Sequence, residues 1–557
     1  MAKVTFYPDQ KSIEVAAGIT IHDAARLAGV LIESPCSCIG ICGKCMVELA
    51  PESLANVYFE PEYRLPAEAA DRGRVLSCQT RIIGDITVEL VDSQPDKGLR
   101  VLSHGIELKP SPGGFIKKVF IERSRLTEVY AGRKLLGIEK GNTAGKSFGI
   151  VVDIGTTTLV ASLVDLNSGR EAGNVSALNP QAVHAQDVLS RIKFASVDEG
   201  LDTLYSGLVR ELNRMIAQLA ADSGVSTDNI YEVVYSGNTC MLHLAARVNP
   251  FTLGKYPYTP QIFGGTYLRA VEHGLKVSEM AMIYLPPIIS SFVGADITSG
   301  ILASGLYELN GVTLLVDIGT NGEMVLAVDG RLAATSTAAG PAFEGMNISC
   351  GMRASRGAIE QFKLEKDGVL KLKTIGETAP VGICGSGLID VVGELVKHGL
   401  INKNGKLVEP DAKLIPAGLK GRLVESDGRL RFKLAENVYL TQKDIRQVQL
   451  AKGAIRVGIE FLLGSSGLKA DDVDRVLIAG AFGYHLRPAS LINIGLLPKE
   501  FKGRIEFIGN TSLTGGKGFL LDRGAREQIQ GEIENVSVLD LASHPRFDRL
   551  FVNCLGF

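Results

Sequence analysis

Four of the nine cysteines fall inside ten residues, Cys36, Cys38, Cys42 and Cys45, and Cys78 follows alone. Taking Cys36, Cys42, Cys45 and Cys78 gives C-x5-C-x2-C, then 32 residues, then C. This pattern suits thiolate ligation of a small inorganic core, in which one glycine-containing loop supplies three sulfurs and a distant segment closes the cage. The loop is one residue longer than the plant-type C-x4-C-x2-C spacing. Zinc sites usually pair two short C-x2-C units. The spacing therefore favours a [2Fe–2S] cluster, with Cys38 as a spectator thiol.

A second constellation occurs twice. Val152-Asp153-Ile154-Gly155-Thr156 falls on Val316-Asp317-Ile318-Gly319-Thr320 at an offset of 164 residues, and Val164-Asp165 falls on Val328-Asp329 at the same offset. Each copy reads as an apolar strand, a tight turn and a second apolar strand. A glycine at such a turn lets backbone amides approach phosphate oxygens, and threonine hydroxyls add donors. Gly155, Thr156, Thr157, Gly319 and Thr320 are thus candidate phosphate contacts. Asp153 and Asp317, at strand ends, are placed for Mg2+, directly or through water. Glu323 or Glu344 would orient an attacking water; the residues do not choose between them, and Glu323 is carried as the candidate. The duplicated turn resembles the two phosphate loops of the actin, Hsp70 and sugar-kinase (ASKHA) superfamily, which implies two α/β lobes around an ATP cleft. The strand running from Arg475 into the turn holding Gly480 and Gly483 would meet the adenine or ribose. Neither G-x-x-x-x-G-K-[ST] nor a strand-to-helix G-x-G-x-x-G is present. The loop from Gly382 to Gly387 reads equally as a phosphate contact or a close helix–strand packing turn. His243, His485, Cys240, Cys350, Cys384 and Cys554 read as structural, the cysteines as buried small residues.

The elements that must hold these residues can be read around them. Residues 3–8 and 11–16 alternate as strands, Thr20 with Asp23 caps a helix, and 46–49 and 85–91 read as further strands. That is the order of the β-grasp, and the stretch resembles the [2Fe–2S] ferredoxin domain that uses it, which implies an α+β domain over 1–92. Residues 93–147 carry proline and paired glycines and read as a linker with room for a helix and one or two strands. Residues 148–545 form the ATPase, with lobe one from about 148 and lobe two from about 311, and 444–464 has helical spacing. Apolar residues make up 45% and charged residues 22% of the 557, with 59 basic against 61 acidic side chains. That balance excludes a disordered chain and gives no pull toward nucleic acid or anionic membrane. No apolar run approaches the roughly 18 residues of a membrane span and no leader pattern opens the chain, so a cytoplasmic protein is expected.

The two halves together resemble the reductive activators of corrinoid proteins, a family that fuses a ferredoxin domain to such an ATPase. Ser236-Gly-Asn238-Thr239, Phe292-Val-Gly294-Ala-Asp296 and Ala338-Ala-Gly340-Pro341-Ala-Phe343-Glu344-Gly345 are also similar to that family. The resemblance implies ATP-dependent return of one electron to cobalt(II), regenerating cobalt(I) in a partner. The partner would be a corrinoid protein of a methyltransferase system or a corrinoid iron–sulfur protein, and a low-potential donor would stand upstream. A plant-type centre near about −400 mV leaves this transfer uphill. Some family members carry a separate middle domain, for which this linker is too short, and the lone Cys554 gives no second cluster. A small-molecule kinase with an accessory redox sensor is the alternative. An activator of a radical dehydratase fits less well, because its cluster cysteines lie inside the ATPase lobes.

Overall fold

A computed structural model describes residues 1–32, 34, 38, 45–59, 73–91, 114–365, 368–409, 419, 421–426, 428–480, 486–541 and 544–557. The N-terminal sheet has the strand order 11–15, 2–7, 86–90, 46–49, 74–76. Its centre pairs Ala2–Tyr7 parallel with Ile86–Leu90, and the other pairs are antiparallel. Alternation puts Val4, Phe6, Val47 and Val88 on the buried face, where they pack on helix Ile21–Leu27. Thr20 caps that helix by accepting from the Asp23 amide at 3.0 Å. This is the β-grasp arrangement.

Residues 116–140 hold no helix. Ile116–Ile121, Leu126–Ala131 and Lys134–Lys140 form a three-stranded antiparallel sheet. Its inward residues Ile116, Val129 and Ala131 bury against Tyr231. Lys118 Nζ pairs with Glu139 at 2.7 Å and donates to the Tyr231 hydroxyl at 2.7 Å, and that hydroxyl donates to Glu139. The second half of the expected linker is therefore an ordered sheet seated on the first lobe.

The two lobes repeat one plan. In the first, Phe148–Ile154, Thr158–Asp165 and Glu171–Leu178 form an antiparallel meander, and Ile230–Gly237 joins Phe148–Ile154 in parallel. In the second, Val312–Ile318, Gly322–Val328 and Arg331–Thr337 form the meander, and Arg475–Ala479 joins Val312–Ile318 in parallel. Strands buried on both faces read as near-continuous apolar runs, which is why VVDI and LVDI look alike. Helix Asp198–Ser223 covers one sheet and helix Gln442–Ser465 the other.

Helices Ala295–Ser304 and Thr511–Leu521 cross between the sheets and join both into one core with Val151, Leu315 and Val325. Their approach depends on glycine: a Cβ on Gly515 would lie 1.9 Å from the Ser299 carbonyl oxygen. Gly515→Ala is predicted to push the helices apart and to cost about 1–3 kcal/mol, as overpacking does. Chemical denaturation of the nucleotide-free protein reads this out, and an unchanged midpoint would show that the crossing tolerates a methyl group.

Candidate functional site

Cys45 opens the strand Met46–Leu49 and Cys78 sits in the turn between Arg74–Leu76 and Thr80–Ile82. Both are buried. Their sulfurs are 3.2 Å apart in hydrogen-bond contact without a disulfide. The Ser77 amide donates to the Cys45 carbonyl at 2.9 Å and locks the two segments together. Contact with Cys78 outweighs burial and draws the Cys45 thiol down to about 7. Two buried, converging thiols from distant segments, one of them easily ionised, fit ligation of one iron of a cluster. Cys36 and Cys42 lie outside the described residues. Cys38 is exposed, its amide donating to Ser34 Oγ at 3.0 Å.

The repeated turns close alike: the Gly155 amide donates to the Thr158 carbonyl and the Gly319 amide to the Asn321 carbonyl, each at 3.0 Å. Thr156 Oγ1 accepts from Asn238 Nδ2 at 3.2 Å. The two turns face each other through Glu344, which accepts from the Thr157 hydroxyl at 2.6 Å and also from the Thr320 hydroxyl. Glu344 ends the 3-10 turn Pro341–Glu344 between Gly340 and Gly345. Gly480 has φ +106°, and a Cβ there would meet the Ile318 carbonyl at 2.7 Å and Asp317 Oδ1 at 2.8 Å, so only glycine fits beside that carboxylate. Gly483 and His485 lie outside the described residues.

Behind the turns stand four acids. Asp153 Oδ1 accepts from Ser512 Oγ at 2.8 Å and Oδ2 from Asn510 Nδ2 at 2.9 Å. Asp317 lies opposite Glu323 across paired strands. Asp296 occupies the first turn of helix Ala295–Ser304. Burial raises Asp153, Asp296, Asp317 and Glu323 above the usual carboxylate range. Asp317 reaches about 7, with Asp296 and Asp153 adding repulsion, and Asp296 also reaches about 7. Among the described residues no group of three His, Cys, Asp or Glu side chains is close enough to cage a metal ion. The donor set instead suits a hydrated divalent cation, since Mg2+ keeps several waters and takes one or two carboxylates plus substrate phosphates.

Sequence reading missed Asp296, Asn510 and Ser512 as site residues. The helix-start patterns Gly294-Ala-Asp296 and Gly509-Asn510-Thr-Ser512 were the available signals. The Gly382–Gly387 loop is a packing turn: a Cβ on Gly385 would lie 1.7 Å from the Phe343 carbonyl oxygen, and one on Gly387 1.9 Å from that of Ile359. His243 is structural, its Nε2 accepting from the Gln261 and Ile262 amides. Cys240 and Cys384 are buried, whereas Cys350 and Cys554 are only half-buried.

The fold and site define a two-lobed ASKHA-type ATPase carrying a [2Fe–2S] ferredoxin domain. A family described as "2Fe-2S iron-sulfur cluster binding domain" matches residues 4–82, "RACo middle region" matches 148–309, and "C-terminal domain of RACo the ASKHA domain" matches 311–557. The corrinoid activation enzyme RamQ of Eubacterium limosum is 30% identical over 98% of this chain and 97% of its own length. A Methanosarcina barkeri protein named as reductase of the Co(II) methylated amine-specific corrinoid protein is 27% identical over 69% of this chain and 71% of its own. A solved structure of a reductive activator for corrinoid, iron–sulfur protein superposes with TM-score 0.73 at 32% identity, covering 100% of this chain and 98% of that one. The chain belongs to the family of reductive activators of corrinoid proteins. No helix among the described residues is long and apolar enough to cross a membrane.

The raised acids carry a stability consequence. A carboxyl whose folded value lies above its unfolded one costs nothing below the unfolded value, and the cost grows until it is full above the folded value. Asp317→Asn is therefore predicted to raise the melting temperature of the nucleotide-free protein by several degrees at pH 8. The gain should shrink toward pH 5, while magnesium-dependent ATP turnover is lost. Thermal melts across that range check the sign, and a loss of stability at pH 8 would contradict it.

Proposed function

We propose that this protein reduces the cobalt(II) of a corrinoid protein to cobalt(I) at the expense of ATP. The observation that carries the reading is the likeness of the whole chain to corrinoid activators, with the cysteine pair and the two-lobed cleft both in place. In this reading residues 1–92 carry the electron, 93–147 join the modules and 148–545 hydrolyse ATP in the cytoplasm. Cys36, Cys42, Cys45 and Cys78 hold the [2Fe–2S] cluster, which supplies single electrons at low potential when bound.

This chain's own residues account for the ATP half. The turns at Gly155–Thr156–Thr157 and Gly319–Thr320 present amides and hydroxyls to the phosphates. Asn510 and Ser512 fix Asp153, and Asp153 and Asp317 would hold Mg2+ beside the phosphates, where it would neutralise their charge. Asp296, Asp317 and Glu323, held high by burial and then by repulsion, would be eased by the charge of a cation bound there. Burial makes Glu323 a proton acceptor stronger than an ordinary glutamate, which suits orientation of the attacking water. The turn from Gly480 to Gly483 borders the nucleoside. Nucleotide-driven movement of the lobes then changes the geometry in which cobalt meets the reduced module.

An anaerobic mixture of the protein, a reductant, ATP and a cobalt(II) corrinoid protein is expected to develop the cobalt(I) spectrum. Asp153→Ala should abolish it with the cluster spectrum intact, and Cys78→Ser should abolish it with nucleotide binding intact. If no corrinoid partner is reduced while a small metabolite stimulates ATP turnover, a kinase with a redox sensor replaces this reading.

A further inference from the structure

The segment entering the cluster loop touches the nucleotide cleft. Gln186 Oε1 accepts from the Ser34 amide at 2.9 Å, and its Nε2 donates to the Ile32 carbonyl at 3.1 Å. Ser34 Oγ in turn accepts from the Cys38 amide at 3.0 Å. Leu31 lines one small cavity with Thr157, Ala182, Gln186, Met346 and Arg353. Leu31 of the ferredoxin domain thus shares a cavity with the threonine that reaches Glu344.

Gln186 belongs to a segment that grips the first phosphate turn at three carbonyls. Asn179 Nδ2 donates to Gly155 O at 2.8 Å, the Asn179 amide donates to Thr157 O at 2.9 Å, and Arg191 Nη2 donates to Thr156 O at 2.5 Å. Arg191, fully buried, also donates through Nε to Ala185 O at 3.0 Å, one residue before Gln186. Any shift of the turn is passed to Gln186 through this short rigid path.

Glu344 sets the direction of the coupling. Its carboxylate takes the hydroxyls of Thr157 and Thr320, the donors assigned above to phosphate, so an incoming phosphate must displace a like charge. Met346, two residues on, lines the cavity that seats Leu31. We propose that Gln186 is a positioning residue that docks the iron–sulfur module at the mouth of the cleft in the phosphate-free state. Phosphate entry evicts Glu344, turns Thr157 away and loosens the seat of Leu31 and Gln186, freeing the module to deliver its electron. A nucleotide achieves this because it favours the undocked state, and the linkage is reciprocal. The proposal rests on the assignment of Thr157 and Thr320 to phosphate.

Full-length holoprotein is titrated with magnesium and a non-hydrolysable ATP analogue, and amide hydrogen exchange is followed in residues 21–32. In the wild type the analogue should accelerate exchange in that peptide. Gln186→Ala, and Gln186→Glu, which keeps the acceptor but loses the donor, should show fast exchange without nucleotide. By reciprocity both variants should bind the analogue about five-fold tighter or more, whereas mere damage to the fold would weaken binding. If the wild type binds no analogue, the nucleotide assignment and this relay fall together. If it binds while exchange stays constant, or if the variants bind equally or more weakly, the relay alone is wrong.

Discussion

Four carboxylates gathered between two lobes, Glu323 buried and Asp153, Asp296 and Asp317 half-buried, set the terms for the ATPase. Asp153 and Asp317 arrive on equivalent strands, Asp296 on a crossing helix, and Glu323 across the sheet from Asp317. Burial raises all four. Asp153 adds repulsion on Asp296 and Asp317, Asp296 adds it on Asp317 and Glu323, Asp317 adds it on Glu323, and no ion pair among the described residues relieves any of them. The surrounding core is joined by the glycine-mediated crossing of helices Ala295–Ser304 and Thr511–Leu521. A divalent cation arriving with phosphates, as proposed above, would relieve the repulsion among the acids. In the proposed function, magnesium nucleotide would bind where these carboxylates already repel one another, and its binding would lower that repulsion.

Duplication explains why so much of this was legible in the residues. A strand, a tight Asp-Ile-Gly-Thr turn and a returning strand are local features, and local patterns survive in sequence. The same holds for the helix capped by Thr20 and the alternation around Val4 and Phe6. What stayed hidden depends on folding. Asn510 reaches Asp153 across 357 residues, and Asp296 joins the acids only because its helix wedges between the sheets. Residues 116–140 read as room for a helix and one or two strands. That they form three paired strands without a helix depends on their seat against Tyr231, which the residues alone do not reveal. Glu344 was one of two candidate glutamates; only the structure shows that it bridges the two phosphate turns while Glu323 stands with the acids.

The size of the docking contact decides whether it can serve as a switch. Among the described residues, two neutral hydrogen bonds on Gln186 contribute about 0.5–1.5 kcal/mol each, and Leu31 is half-buried. Through these contacts alone a separate ferredoxin would barely bind. Covalent attachment changes this, because a tethered module meets its seat at a high effective concentration. The docked state can therefore dominate while remaining only a few kcal/mol deep. That depth matches the roughly 1–3 kcal/mol that coupling between two sites typically supplies. A larger interface would hold the module whatever the nucleotide did, and a weaker one would never order it. Fusing the electron carrier to the ATPase lets a small contact respond to a single phosphate, which gives a physical reason for both activities to reside in one chain.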